Sequence, residues 1–376
     1  MDLGRQTHHS LTENLGRAAP SVSNLHLKRI IGTQKGLNAL RILGLVSGLA
    51  LIIAAFEIQR GQFLSLTNLL TILRSMASLG MIAFAEMLVI LVGEIDLSIG
   101  AAYGLTPVAA AAAWLGGGSL GIHLALLPAL AFGIGLALFV GLLNGFLVVR
   151  AGIPSFIATL GTLNVAQGLQ LLIDNAATFT PQFNEPRPPG WELTLFKALG
   201  GETLPFGIPA ETLWLVVSFG VFWFVRHRTV FGFRLVAIGG NPYAAATARL
   251  PVERYKFLVL LLCSFMSGLA GLADFSYVGS VGPTDAGALL FSAIAAVIIG
   301  GASLSGGRGT VVGTLLGVAL LSVLNNGLAL LGVGSYAQLL FIGAITVLAV
   351  WIDIVSQRLI RRAGHRAASR QSGEIK

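Results

Sequence analysis

The sequence predicts an all-α, polytopic membrane protein of about ten transmembrane helices with cytoplasmic N- and C-termini, and three observations predict it. Of the 376 residues 55% are hydrophobic and 11% charged, whereas an ordinary soluble domain carries about 25% charged residues. Mean hydropathy is +0.83, more apolar surface than a water-soluble fold of this size could hide. Several apolar runs approach or pass the ~18 residues that cross a bilayer: Leu37–Phe56, Leu66–Ile90, Ile122–Val149, Phe257–Ala273, Thr310–Val333 and Tyr336–Ile352.

Taken in order, residues 1–36 form a polar cytoplasmic tail. They contain no early apolar core followed by small residues, so no cleaved signal peptide is expected. A transmembrane domain over 37–356 follows, with spans at 37–56, 66–92, 97–115, 122–149, 153–173, 211–225, 257–278, 289–301, 310–332 and 335–353. Residues 357–376 form a basic cytoplasmic tail. Lysine and arginine test this order, because positive charge is retained on the cytoplasmic side. With the N-terminus inside, the cytoplasmic pieces hold six up to Arg41, then Arg150, six in the loop 226–256, Arg308 and six from Arg358 on. Only Arg60, Arg74, Arg187 and Lys197 fall outside or near the outer face. The net charge of +8 is thereby explained without nucleic acid.

The external loop 174–210 contains Asp174, Glu185, Glu192, Glu202 and six prolines, and is expected to be ordered only in part. Its acids would suit either plain solvation or a soluble partner docking from outside. One internal echo stands out: VILVGEIDLSIG (89–100) against AVIIGGASLSGG (296–307), with Gly93 opposite Gly300. Cys263 sits in an apolar run and is expected to pack there. The six histidines are scattered without ligand spacing, which leaves metal and catalytic sites without support.

The break GEIDLSIG (93–100) places Glu94 and Asp96 beside membrane segments, where an unpaired charge is costly. Asp96 or Ser98 can cap the helix running to Leu115. The same break can line a pathway, since irregular backbone at membrane depth is tolerated only where it is buried in protein or faces a cavity. GGASLSGGRGT (300–310) lacks the Lys-Ser/Thr pair of a phosphate loop. It reads instead as a tight turn in which Gly306, Gly307 and Gly309 supply positive φ. At 100° per residue Ser155, Thr159, Thr162, Ala166 and Gln170 share one face of the fifth span, and Thr310, Thr314, Gly317, Leu321 and Asn325 share one face of the ninth. Packing through small residues and a polar conduit both account for these stripes. Asn144, Asn325, Asn326 and Gln338 add uncharged hydrogen-bonding groups within spans. Together with Asp96, Ser98, Thr159 and Thr162 the three asparagines are the pathway candidates. Glu86 and Asp274, the remaining acids at spans, do not form the series a proton relay needs.

GGNPYAAATARLPVERYK (239–256) is the one polar, helix-capable stretch between two long apolar segments. Asn241 can cap, Pro242 suits the first helical position, Ala244 to Leu250 propagate, and the residue before Pro251 is a stop. The product is a helix of about two turns, some 12 Å long. Its alanines give it little lipid-anchoring power, so contact with another protein is its better use.

GEIDLSIG, GIPSFIATLGTL (152–163), FGFRLVAIGGNPYAAA (231–246), AAVIIGGASLSGGRGTVVGTLLG (295–317) and LNNGL (324–328) together resemble the membrane permease subunits of bacterial ABC importers for ribose, xylose and related monosaccharides. The resemblance covers about 60–353. It implies a permease in the bacterial inner membrane with no catalytic site, metal or cofactor of its own. It also implies cytoplasmic ATPase partners carrying ATP and Mg²⁺, an external sugar-binding protein and a second, identical or homologous, permease copy. Asn241, Pro242, Tyr243, Ala244, Ala245, Ala246, Arg249 and Leu250 match the helix that couples to the ATPase. The chain departs from the family pattern at Glu94, where a glycine is usual, and at Tyr243, Ala246 and Arg249, where Glu, Arg and Gly are common. Alternatives stay open at this point: a related permease for branched-chain amino acids, and an ion-coupled secondary carrier.

Overall fold

The computed structural model describes residues 34–175, 177–283, 287–348, 351 and 355. The predicted tails therefore fall almost wholly outside the described residues. Each of the ten predicted spans is occupied by a helix. In chain order the helices are α1 (Gln34–Arg60), α2 (Leu66–Leu91), α3 (Ile99–Leu115), α4 (Leu126–Val149), α5 (Ser155–Asp174), α6 (Gly190–Ala198), α7 (Glu211–Arg228), α8 (Val230–Gly240), α9 (Pro242–Thr247), α10 (Val252–Val278), α11 (Gly287–Ile299) and α12 (Val311–Leu330), closed by α13 (Ser335–Leu348). Beyond helices the described residues show only isolated β-bridges. Among the described residues six helices are long and apolar enough to cross a membrane: α1 over Ile42–Arg60, α2, α4, α5, α10 and α12. The helices α3, α11 and α13 are shorter, and α7 reaches its length only by including Glu211, Arg226 and Arg228.

The body from Gly48 on is organised around α2 and α3. α3 and the second half of α2 are apolar nearly all round, the pattern of a helix with no face to give to a polar medium. All of Leu79–Val92 is buried, as is all of Ile99–Leu115 except Tyr103. Small residues let the surrounding backbones approach. A Cβ on Gly133 of α4 would press on the Thr106 carbonyl of α3, and one on Gly271 of α10 would meet the Tyr103 carbonyl. On the far sides of α4 and α5, Leu127, Phe139, Phe146, Phe156, Ile157 and Val165 are exposed, an apolar girdle suited to lipid.

The two predicted stripes are resolved differently. Ser155, Thr159, Thr162, Ala166 and Gln170 are all buried, so the stripe is the inward face of α5. On α12 the small residues serve helix packing: Gly313 lies on the Gly300 carbonyl and Gly317 on the Ala296 carbonyl of α11. Near the other end of α12, Gly327 receives the ring of Phe56 from α1, which stacks on Phe63 at 5.3 Å.

The sequence echo corresponds to a shared helix ending, one residue out of its apparent register. Gly93 N–H donates to Ile90 O and Glu94 N–H to Val89 O; Gly301 N–H donates to Ile298 O and Ala302 N–H to Val297 O. Gly93 (φ 84°) therefore stands opposite Gly301 (φ 93°), not Gly300. In the following turn Gly306 and Gly307 have positive φ, whereas Gly309 does not.

The loop 174–210 is more ordered than expected, because α6 docks its apolar face. Phe196 packs between Trp114 (5.2 Å) and Phe275 (4.7 Å), and buried Glu192 accepts Trp114 Nε1–H and the Leu126 N–H. Of the four acids expected to face outward, Asp174 and Glu192 are buried and Glu185 and Glu202 are exposed. Nearby, Arg74 of α2 pairs with Asp274 of α10 (2.6 Å) and Glu211 of α7 (3.3 Å) and lies 3.8 Å over the Tyr277 ring. Tyr103 OH donates to the other Asp274 oxygen at 2.6 Å. These charges tie four helices together in place of solvent.

Candidate functional site

The segment between α2 and α3 is irregular backbone, buried from Asp96 on, and each of its N–H groups has a partner. Glu94 N–H turns back to Val89 O at 3.1 Å. Ile95 N–H donates to Ser155 Oγ (3.3 Å), Asp96 N–H to Glu86 Oε1 (3.3 Å), Leu97 N–H to Thr159 Oγ1 (3.0 Å) and Ser98 N–H to Asp96 Oδ1 (2.8 Å). The hydroxyl stripe of α5 thus supplies acceptors that make this break tolerable within an apolar body. The remaining Glu86 oxygen accepts from Cys263 Sγ at 3.4 Å, so this cysteine, expected only to pack, also bonds.

From this loop a closed polar network runs into α4 and α5. Ser98 Oγ donates to Asp96 Oδ1 at 2.6 Å, Asn144 Nδ2 donates to Ser98 Oγ at 2.7 Å, and Thr162 Oγ1 donates to Asn144 Oδ1 at 2.5 Å. Asp96, Ser98, Asn144 and Thr159 have no exposed surface, and Thr162 is 3% exposed. Asp96 Oδ2 has no hydrogen-bond partner among the described residues, and an unmatched buried acceptor costs about 1–3 kcal/mol. Among the network oxygens it is the one without a hydrogen bond, which makes it an acceptor for a solute hydroxyl. The capping expectation is met in altered form: Ser98 occupies the N-cap of α3 without a side-chain cap bond, while Asp96 takes the Ser98 N–H.

Five of the seven pathway candidates are therefore brought together. Asn325 and Asn326 are not. They lie on α12 with Ser322, and the side-chain oxygens of all three are buried without partners among the described residues.

The stretch 226–256 builds a second feature. Arg226 Nε at the end of α7 donates to Gly309 O at 3.2 Å. Thr229 caps α8 by accepting the Gly232 N–H (3.2 Å), and Asn241 caps α9 by accepting the Ala244 N–H (3.0 Å) with Pro242 at the first position. The expected helix from Asn241 to Leu250 is shorter, ending at Thr247. Arg249 adopts φ 60°, and Leu250 N–H returns to Ala245 O at 3.0 Å, folding the chain toward α10. Tyr243 is 84% exposed; Asn241, Pro242, Ala244, Ala246 and Arg249 are also exposed, whereas Ala245 is 5% exposed and faces inward. The outward face of α9 is thus Tyr243, Ala244 and Ala246, and Ala245 belongs to its seat.

Three backbones meet at the end of α8, just before α9 begins. Gly307 N–H donates to Leu91 O at 2.9 Å, a Cβ on Gly239 would fall on that same carbonyl, and one on Gly306 would lie 2.8 Å from Gly239 O and 3.0 Å from Gly93 N. Beside this junction Lys256 Nζ of α10 is ion-paired with Glu94 Oε1. Sequence reasoning missed α8, the junction and Lys256. The Thr229 cap before an apolar run was a usable signal for α8, but the pairing of residues 162 positions apart has none in a single sequence.

With this geometry in view, comparison with known proteins is informative. A family model described as branched-chain amino acid transport system / permease component matches residues 68–350. The ribose import permease protein RbsC of Bacillus subtilis is 37% identical over 313 residues, 83% of this chain and 92% of that protein. RbsC of Escherichia coli strain K12 is 33% identical, over 81% of this chain and 91% of that protein. The xylose transport system permease protein XylH of the same strain is 31% identical, over 79% and 87%.

Proposed function

The chain belongs to the branched-chain amino acid transport system / permease component family, and we propose that it is the membrane permease subunit of an ATP-binding-cassette importer moving a ribose- or xylose-like monosaccharide. The observation that carries this reading is α9: a short, capped, alanine-rich helix with an outward face of Tyr243, Ala244 and Ala246, following directly on the end of α8, where three backbones meet. A small smooth helix on a rigid base suits a cleft in a partner protein. In this reading the partner is a cytoplasmic ATPase that holds ATP and Mg²⁺, and the thrust enters the membrane through α9.

Ten spans, cytoplasmic termini and a place in the bacterial inner membrane complete the proposal, supported by a helix in each of the ten expected spans and by the one-sided lysines and arginines. An external sugar-binding protein delivers solute, and a second permease copy completes the pathway. The choice of sugar over amino acid rests on the names of the relatives and on the network, whose hydroxyls, amide and carboxylate suit a hydroxylated solute. The test is uptake of labelled ribose and labelled xylose into proteoliposomes holding the chain, its ATPase and its binding protein. Uptake of either sugar that needs all three components and ATP supports the reading. Uptake of leucine but of neither sugar would move the substrate, and uptake without ATPase would overturn the class.

A further inference from the structure

Glu94 and Lys256 occupy the point where the α9 region touches the buried network, in a position no part of the proposed function requires. Lys256 lies in the second turn of α10, five residues beyond the Pro251 that follows the α9 turn. Glu94 lies two residues before Asp96. Their side chains are 12% (Glu94) and 26% (Lys256) exposed, so the pair is largely shielded. The loop they share is gripped from two sides. On one side α5 holds it through Ser155 and Thr159, which accept the Ile95 and Leu97 N–H groups. On the other α10 holds it through Lys256.

A second contact, between the end of α8, the α2 end and the turn before α12, is made of glycines. Gly239, Gly306, Gly307 and Gly93 meet backbone to backbone with one cross-bond, Gly307 N–H to Leu91 O. That junction carries no charge, and among the described residues the ion pair is the one charged link between α10 and the loop. A displacement of the α10 start therefore reaches the loop as a pull through the ion pair, against the fixed grip of α5.

We propose that the Glu94–Lys256 pair is a positioning device that makes the Asp96–Ser98–Asn144 network follow movement at α9, and so sets how tightly ATP hydrolysis is tied to solute movement. The inference rests on the ATP-driven reading above and adds to it two residues with a role in regulation of the same site.

The test uses the full reconstituted complex and records ATP hydrolysis and sugar uptake in the same vesicles for Glu94→Gln, Lys256→Met and the exchange Glu94→Lys with Lys256→Glu. Each single change should leave the ATPase bound and raise the ATP consumed per sugar moved about fivefold, and the exchange should bring it back to within about twofold, as a coupling between sites requires. An unchanged ratio in the single variants overturns the proposal. So does a parallel loss of both activities that the exchange does not restore, because that marks a merely structural tether. Melting temperature and co-purification with the ATPase, read on the same samples, separate misfolding from uncoupling. A wild-type complex with no ATP-driven uptake is a different failure: it removes the transport reading itself, and this proposal with it.

Discussion

Thr162 Oγ1 donates to Asn144 Oδ1 at 2.5 Å, which orients the Asn144 amide so that its Nδ2 faces Ser98. This contact joins α5 to α4 and, through Ser98 and Asp96, to the break before α3. A hydrogen bond between helices in a membrane is worth about 0.6 to 1.7 kcal/mol. Thr162→Val, which preserves shape, should therefore lower stability by about 1 kcal/mol and reduce uptake. Thermal unfolding of the purified chain in detergent, with uptake on the same variant, checks both.

Asp96→Asn should keep the fold and lose transport. The retained Oδ1 still accepts Ser98 N–H and Ser98 Oγ, and the atom replaced is the unpartnered one. Unfolding temperature should stay within about 3 °C of the parent, since the change amounts to less than about 1 kcal/mol. Uptake should fall at least about tenfold, the effect of losing one good hydrogen bond to solute. Parental uptake would remove Asp96 from the pathway.

Gly239 and Gly240 make a paired test of the junction. A Cβ at Gly239 would land on the Leu91 carbonyl and beside Gly307 N, backbone atoms that cannot step aside, whereas a Cβ at Gly240 meets nothing within 4 Å. Gly239→Ala should cost about 1–3 kcal/mol or more through overpacking and yield little monodisperse protein. Gly240→Ala should behave as wild type. Size-exclusion chromatography of both variants decides the matter.

The faces of α9 should separate docking from folding. Ala246→Trp places bulk on the exposed side and should weaken ATPase association about tenfold or more while leaving the unfolding temperature alone, as a blocked interface centre does. Ala245→Trp should act in reverse order, because Ala245 is seated in the core. Co-purification with the ATPase and thermal unfolding report the two effects.

Much of the fold was legible because its signals are local. Long apolar runs marked the helices, and the 100° period put Ser155, Thr159 and Thr162 on one face, which proved to be the inward face. The Asn241–Pro242 start of α9 was equally readable, since a cap and a fixed φ act within three residues. What stayed hidden depends on distance. That Asn325 and Asn326 fall away from Asp96 follows from which helices are neighbours. That Lys256 meets Glu94 follows from how α10 crosses the α2 end. That Glu192 is buried follows from the docking of Phe196, and no polar residue in a proline-rich loop announces such a fate by itself. The one-residue shift in the internal echo has the same origin: letters matched Gly93 to Gly300, while helix-end hydrogen bonds match it to Gly301.

The central claim is that force applied at α9 reaches the loop that holds Asp96. Hydrogen exchange at the Glu94–Ser98 amides, in the assembled complex with and without a non-hydrolysable ATP analogue, tests it most directly, because each of these amides is bonded to a named acceptor. The account predicts that nucleotide binding by the ATPase changes protection at these five amides, and that Ala246→Trp abolishes the change. Identical exchange in both states, alongside demonstrated ATP-driven uptake, would contradict it.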